Sequence, residues 1–199
     1  MDVEGFVTAG GLSSRMGSDK ALLEIGGRAM IEHVIAALRP VTSRVAVIAN
    51  NPEYGKLGLT VFADSYRGVG PLEAIRTSLM NARTPRVILV GCDLPFVTSD
   101  LFSYLLDLKG DYQAVVPLSR DERLEPLCAI YSVDALESVA DLINRGERKV
   151  SKLFDLVPTR LVKFDELSRL RGAELFFENV NTPEDYAAAC KVSNQQDAG

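Results

Sequence analysis

Residues 9–20 read Ala-Gly-Gly-Leu-Ser-Ser-Arg-Met-Gly-Ser-Asp-Lys and place three glycines, two cations and three hydroxyls within twelve positions. Each type has a use at a triphosphate. Glycine lets the backbone approach a ligand with its N–H groups exposed, the Arg15 guanidinium can fork onto phosphate oxygens, and Lys20 adds a compact positive charge. The bland alternative is a surface turn with incidental charges, the commoner meaning of an isolated Gly-Gly. A strand-like run just before the segment, together with Arg15 and Lys20, favours phosphate. The pattern G-x-x-x-x-G-K-[ST] is missing, so this is not a P-loop, and the dinucleotide fingerprint G-x-G-x-x-G is missing too. Gly68-Val69-Gly70 continues into Pro-Leu-Glu and fails the same fingerprint.

Two aspartates end β-rich runs. Asp93 follows the apolar residues 87–90 and precedes Pro95, as expected at the carboxyl end of a central strand. Magnesium takes one or two carboxylates and completes its shell with water and substrate phosphates, so one Asp there is enough to recruit it with a triphosphate. Asp64 ends the run 59–63 and has two readings, a place in a nucleotide site or a cap on its own turn. Asn179 and Asn181 flank Val180, so on a strand both amides face one side, a geometry suited to an acceptor substrate. The structural alternative is a turn before a helix that Thr182 caps and Pro183 starts. Arg148, after Gly146, either holds an acceptor phosphate or is a cation at a helix end. The one histidine, His33, is expected at a solvated helix position, and neither it nor Cys92 has the neighbours of a catalytic triad.

The elements that must position these residues alternate. Short apolar runs at 5–9, 45–49, 59–63, 87–92 and 114–118 are each followed by a segment of helical period. Met30, Ile31, Val34, Ile35 and Leu38 mark one face of a helix that Pro40 stops. Pro71 suits the first turn of a helix carrying Leu72, Ile75 and Leu79, and Thr98 or Ser99 caps one carrying Leu101, Leu105 and Leu108. Residues 127–132 read as a strand, 133–144 and 150–156 as helices, and 160–164 as a strand. Residues 119–125, dense in Arg, Asp and Glu, are expected to be a mobile loop. The pattern predicts an α/β fold, a Rossmann-like three-layer α/β/α arrangement with a mostly parallel central sheet. In such sheets ligands bind beyond the carboxyl ends of the strands, where the glycine-rich segment and the loops before Pro71 and Ser99 converge.

The chain of 199 residues, 47% hydrophobic and 25% charged, suits one domain over residues 1–191 with a frayed tail at 192–199. No apolar stretch approaches the roughly 20 residues of a bilayer span, and the start carries Asp2 and Glu4 where a signal peptide is basic. A cytoplasmic location without membrane association is expected. A net charge of −5 argues against a general nucleic-acid surface, which needs clustered Lys and Arg. Cys92, Cys128 and Cys190 form no C-x-x-C pair and are expected to be buried thiols.

The order A-G-G-x-S-x-R-M-G-x-D-K over residues 9–20 resembles the signature segment of the molybdenum cofactor guanylyltransferases, nucleotidyltransferases of glycosyltransferase-A-like fold. Further matches follow in that family's order. Gly70-Pro71-Leu72 resembles its G-P-L, Cys92-Asp93-Leu94-Pro95-Phe96 its C-D-x-P-[FY], and residues 179–185 its N-x-N-T-P-E-[DE]. Pro126-Leu127 with Ala129-Ile130-Tyr131, and Gly146-Glu147-Arg148, add weaker matches. Thr8 departs from the family's usual Leu, and Glu73-Ala74 from its Ala-Gly, which leaves the role of Glu73 open. The resemblance implies transfer of GMP from GTP to the phosphate of a molybdopterin-type acceptor, with Mg2+ on Asp93 and Arg15, Lys20 and Asp93 as the catalytic group. It also implies nucleotide contacts at Thr8, Ala9, Gly10, Gly11, Arg15, Lys20, Asp64 and Asp93, and acceptor contacts at Arg148, Asn179 and Asn181. Molybdenum cofactor delivery proteins or molybdoenzymes would be its protein partners. Alternatives are cytidylyl transfer, another phosphate acceptor, or a nucleotide-binding delivery protein without turnover. Gly10-Gly11 and Asn179-Val180-Asn181 favour guanine.

Overall fold

The computed structural model of the chain describes residues 2–9, 19–63 and 70–197. It opens with β1 (Val3–Thr8), a small hairpin of β2 (Glu24–Ile25) and β3 (Arg28–Ala29), and α1 (Met30–Leu38). Next come β4 (Val45–Ile48), β5 (Thr60–Phe62), α2 (Pro71–Asn81), β6 (Arg86–Gly91), α3 (Ser99–Asp107), β7 (Ala114–Pro117) and β8 (Cys128–Ser132). The remainder is α4 (Leu136–Asn144), α5 (Ser151–Leu156), β9 (Thr159–Val162), α6 (Phe164–Leu167) and α7 (Pro183–Asp197).

Among the described residues the main sheet has seven strands in the order β5-β4-β1-β6-β8-β7-β9. β5, β4, β1 and β6 run parallel in turn, β7 pairs parallel with β9, and β8 alone runs against its neighbours β6 and β7. Strand period sorts the side chains. Val7, Val47, Ile88 and Val90 face one side and pack with Ile31, Val34, Leu101 and Phe102 of α1 and α3. Phe6, Ala46, Val87 and Leu89 face the other and pack with Leu72, Ile75, Val139 and Leu142 of α2 and α4. Strands covered on both faces read as continuous apolar runs, which is why β1, β4 and β6 were legible as such.

The expected helix signals operate. Thr98 Oγ1 accepts the Leu101 N–H (3.4 Å) at the head of α3, and Pro71 is the first residue of α2, where its missing N–H is not needed. Gly70 precedes it with φ 72°, a left-handed value that a side chain disfavours. No described helix is long and apolar enough to cross a membrane.

Some expectations change. Residues 119–125, read as a mobile loop, form a compact turn: Leu118 bridges Leu124, and Ser119 exchanges bonds with Arg123. Arg120, Asp121, Glu122 and Arg123 lie outside, Glu125 is half-buried, and Ser119 is buried and closes the turn. His33 is half-buried, and its Nε2 donates to Ile25 O (2.9 Å), tying the β2–β3 hairpin to α1. Residues 192–197 continue α7 to Asp197. Cys92 and Cys128 are buried, whereas Cys190 is half-buried.

Candidate functional site

The chain leaves β1 toward β4 on one side and later returns to β6 on the other, so the switch point of the sheet lies between the carboxyl ends of β1 and β6. Ligands of open α/β sheets bind at such a crevice, because the loops diverge there and leave room. Cys92 N–H donates to Thr8 O (3.0 Å) and Ala9 N–H to Ile48 O (2.9 Å), so the three strand ends are stitched together. Ala9 is buried and Thr8 half-buried. Gly10, Gly11, Arg15 and Asp64 lie outside the described residues.

At this crevice Lys20 and Asp93 meet. The ammonium lies 3.1 Å from Asp93 Oδ2 and donates to Asn181 Oδ1 at 2.8 Å. The side chains keep 16% and 23% of their surface open, so the pair can still receive a ligand. Gly91 makes the room: a Cβ there would stand 2.3 Å from Asp93 Oδ1, forcing the carboxylate to turn away. A hard carboxylate, partly open and fixed on one oxygen by a cation, fits magnesium that brings its own phosphate ligands. Among the described residues no cluster of three or more His, Cys, Asp or Glu could hold a metal by itself.

The C-terminal segment reaches this point because it hangs on the same loop. Val180 N–H donates to Asp93 O (2.9 Å), with the Val180 side chain buried. Residues 179–181 pair with no strand, yet the alternation expected of them holds: Val180 faces in while Asn179 and Asn181 are exposed. The two amides diverge in use. Asn181 accepts from Lys20, whereas Asn179 Nδ2 donates to Phe177 O (3.2 Å). Thr182 and Asp185 cap α7. Asp185 N–H donates to Thr182 Oγ1 (3.1 Å), and Asp185 Oδ2 accepts the N–H groups of Asn181 (3.0 Å) and Thr182 (2.9 Å).

Arg148 sits beyond α4, where it lines a cavity of about 360 Å³ with Arg76, Ile143 and Asn144. Glu73 also lies on this side. It is fully buried in α2 and takes both oxygens to Arg76, at 2.8 Å and 2.6 Å, so it is a structural ion pair within one helix.

Glu125 was not anticipated. It stands at the end of the β7–β8 turn, where its N–H donates to Pro117 O (3.0 Å). Burial pushes its carboxyl up to about 7; Arg123 opposes the shift, and the negative charge of Asp93 adds to it. Its sequence signal was only a Glu before Pro126-Leu127, hidden in a charged stretch. Cys92 is no nucleophile: burial first and Asp93 second push its thiol up to about 12.

Residues 5–162 match the family model of the MobA-like NTP transferase domain. A probable molybdenum cofactor guanylyltransferase of Carboxydothermus hydrogenoformans is 36% identical over 186 residues, 94% of each chain. One from Pelotomaculum thermopropionicum is 34% identical over 200 residues, covering 100% of this chain and 97% of the relative. Among solved structures, molybdopterin-guanine dinucleotide biosynthesis protein A of Archaeoglobus fulgidus superposes with a TM-score of 0.81 over 96% of this chain and 99% of its own, at 22% identity.

Proposed function

The chain belongs to the MobA-like NTP transferases, and on that premise we propose that it transfers GMP from GTP to the phosphate of a molybdopterin-type molybdenum cofactor. The observation that carries this reading to particular residues is the meeting of Lys20, Asp93 and Asn181 at the switch point. An acceptor phosphate oxygen attacks the α-phosphorus of GTP in line. The new P–O bond forms as the bond to the bridging oxygen of the β-phosphate breaks, and pyrophosphate leaves with that oxygen. The attacking oxygen is already anionic at neutral pH, so no side chain has to act as a strong base. Catalysis consists of positioning and neutralising charge.

Asp93 would hold a divalent cation, Mg2+ on this reading, which would supply neutralisation of phosphate charge and orientation of the triphosphate. Lys20 turns its ammonium from Asp93 and Asn181 onto phosphate oxygens as GTP enters. Arg15 and the glycines Gly10 and Gly11, with Thr8 and Ala9 at the strand end, complete the triphosphate cradle, and Asp64 contributes to the nucleoside side. Asn181 and Arg148 belong to the acceptor half, while Asn179 braces the same segment through Phe177 O. Arg148 lines the cavity beside α4.

The test is pyrophosphate release with each of the four ribonucleoside triphosphates, Mg2+ and molybdopterin. GTP is expected to support release only with the acceptor present, and Asp93→Ala to lower it more than about a hundredfold with the fold intact. Preference for CTP would overturn the guanine assignment. Full turnover by Asp93→Ala would remove Asp93 from the reaction.

A further inference from the structure

Lys20 has four rotatable side-chain bonds, and its ammonium reaches a defined place only if its backbone is fixed. The residue before it supplies that fixture. Asp19 Oδ1 accepts the Tyr54 hydroxyl at 2.6 Å and the Ala21 N–H at 3.3 Å, while Oδ2 accepts Asn51 Nδ2 at 2.8 Å. Tyr54 and Asn51 come from the connection between β4 and β5, far from residue 19 in sequence. That connection is itself braced: Asn51 Oδ1 accepts Glu53 N–H (3.0 Å), and Asn51 O accepts Tyr54 N–H (3.4 Å). Tyr54 is fully buried in the core on the α1 and α3 side of the sheet, so its hydroxyl is a rigid anchor. Burial, and then the Asp19 carboxylate, hold its proton well above the ordinary phenol range, and it stays a donor at any working pH.

We propose that Asp19 is a positioning residue, latched by Tyr54 and Asn51, that fixes the end of the glycine-rich segment so that Lys20 is aimed at Asp93 and Asn181 before nucleotide arrives. The three donors are neutral, so they orient the carboxylate without cancelling its charge. The charge makes each bond stronger than a neutral pair. The latch therefore joins the β4 end of the sheet to the triphosphate residue by side chains, where backbone pairing has already stopped. It rests on Lys20 acting at the triphosphate, and it adds the reason Lys20 is preorganised.

A double-mutant cycle tests it. Tyr54→Phe removes one hydroxyl and keeps the ring that fills the core, Lys20→Met removes the ammonium, and the double variant closes the cycle. kcat/KM for GTP is read by pyrophosphate release and referred to the folded fraction from thermal unfolding. Tyr54→Phe is expected to lose about tenfold in the wild-type background and less than about twofold in the Lys20→Met background. Asp19→Asn is expected to follow the same pattern. Equal losses in both backgrounds, or no loss in the wild-type one, overturn the latch while leaving the role of Lys20 standing. Wild-type turnover by Lys20→Met overturns that role itself, and the latch with it.

Discussion

Lys20 has two partners at the crevice, Asp93 and Asn181. On the proposed function Lys20 leaves both for the triphosphate, which would free Asp93 for a cation and Asn181 for the acceptor. The two asparagines should separate in kinetics. Asn181→Ala is expected to raise KM for the acceptor by about tenfold, while Asn179→Ala, whose amide is committed to Phe177 O, costs less than about threefold. Initial rates at varied molybdopterin check this, and equal effects would show that both amides meet the acceptor. Glu73 makes a different prediction. Its side chain is 1% exposed, so Arg76→Ala strands a buried carboxylate and is expected to cost about 3 kcal/mol in denaturant unfolding. Glu73→Ala/Arg76→Ala should recover much of that loss, because no unpaired charge is then buried.

At the scale of elements, α7 matters because its cap carries Asn181. Asp185 is held below the usual carboxylate range, first by the Asn181 N–H and then by the Thr182 hydroxyl and N–H. A carboxyl depressed in the folded state stabilises above its unfolded pKa, and that contribution is lost as pH falls through the folded value. The stability advantage of the wild type over Asp185→Asn is therefore expected to be constant above about pH 5 and to shrink toward pH 3. Urea midpoints across that window decide it; a difference that does not change would show that the charge is uninvolved. The opposite end of the scale is β8. Its residues were legible as a strand from their apolar run, but its direction was not, since alternation is the same read either way. The turn closed by Ser119 and Arg123 reverses the chain, and it brings Glu125 toward Asp93.

For the whole molecule, the two apolar layers carry the packing while the proposed function places activity in the crevice between β1 and β6, so the two are expected to be separable. Leu89 lies fully buried at the centre of β6, paired beside Phe6 and Ala129. Leu89→Ala is expected to lose about 3 kcal/mol, read by urea unfolding, with kcat retained well below its unfolding temperature. Asp93→Ala should do the reverse. A Leu89 variant that lost turnover in proportion to its stability would mean that the sheet and the crevice are not separable in this way.

The sequence determined what is local. Continuous apolar runs placed β1, β4 and β6, helical apolar periods placed α1 and α3, and helix starts followed from Thr98 and Pro71, because these signals act within a few residues. Asp93 was legible for the same reason, as a carboxylate written just beyond the end of β6. Tertiary structure decided who meets whom. Lys20 joins Asp93 across 73 positions and Asn181 across 161, the buried Tyr54 bonds Asp19 across 35, and Arg148 lines a cavity beside α4. Such contacts depend on strand order and on which loops share an edge of the sheet. Those are fixed by packing of the two apolar layers, a sum over the whole chain that no short stretch contains.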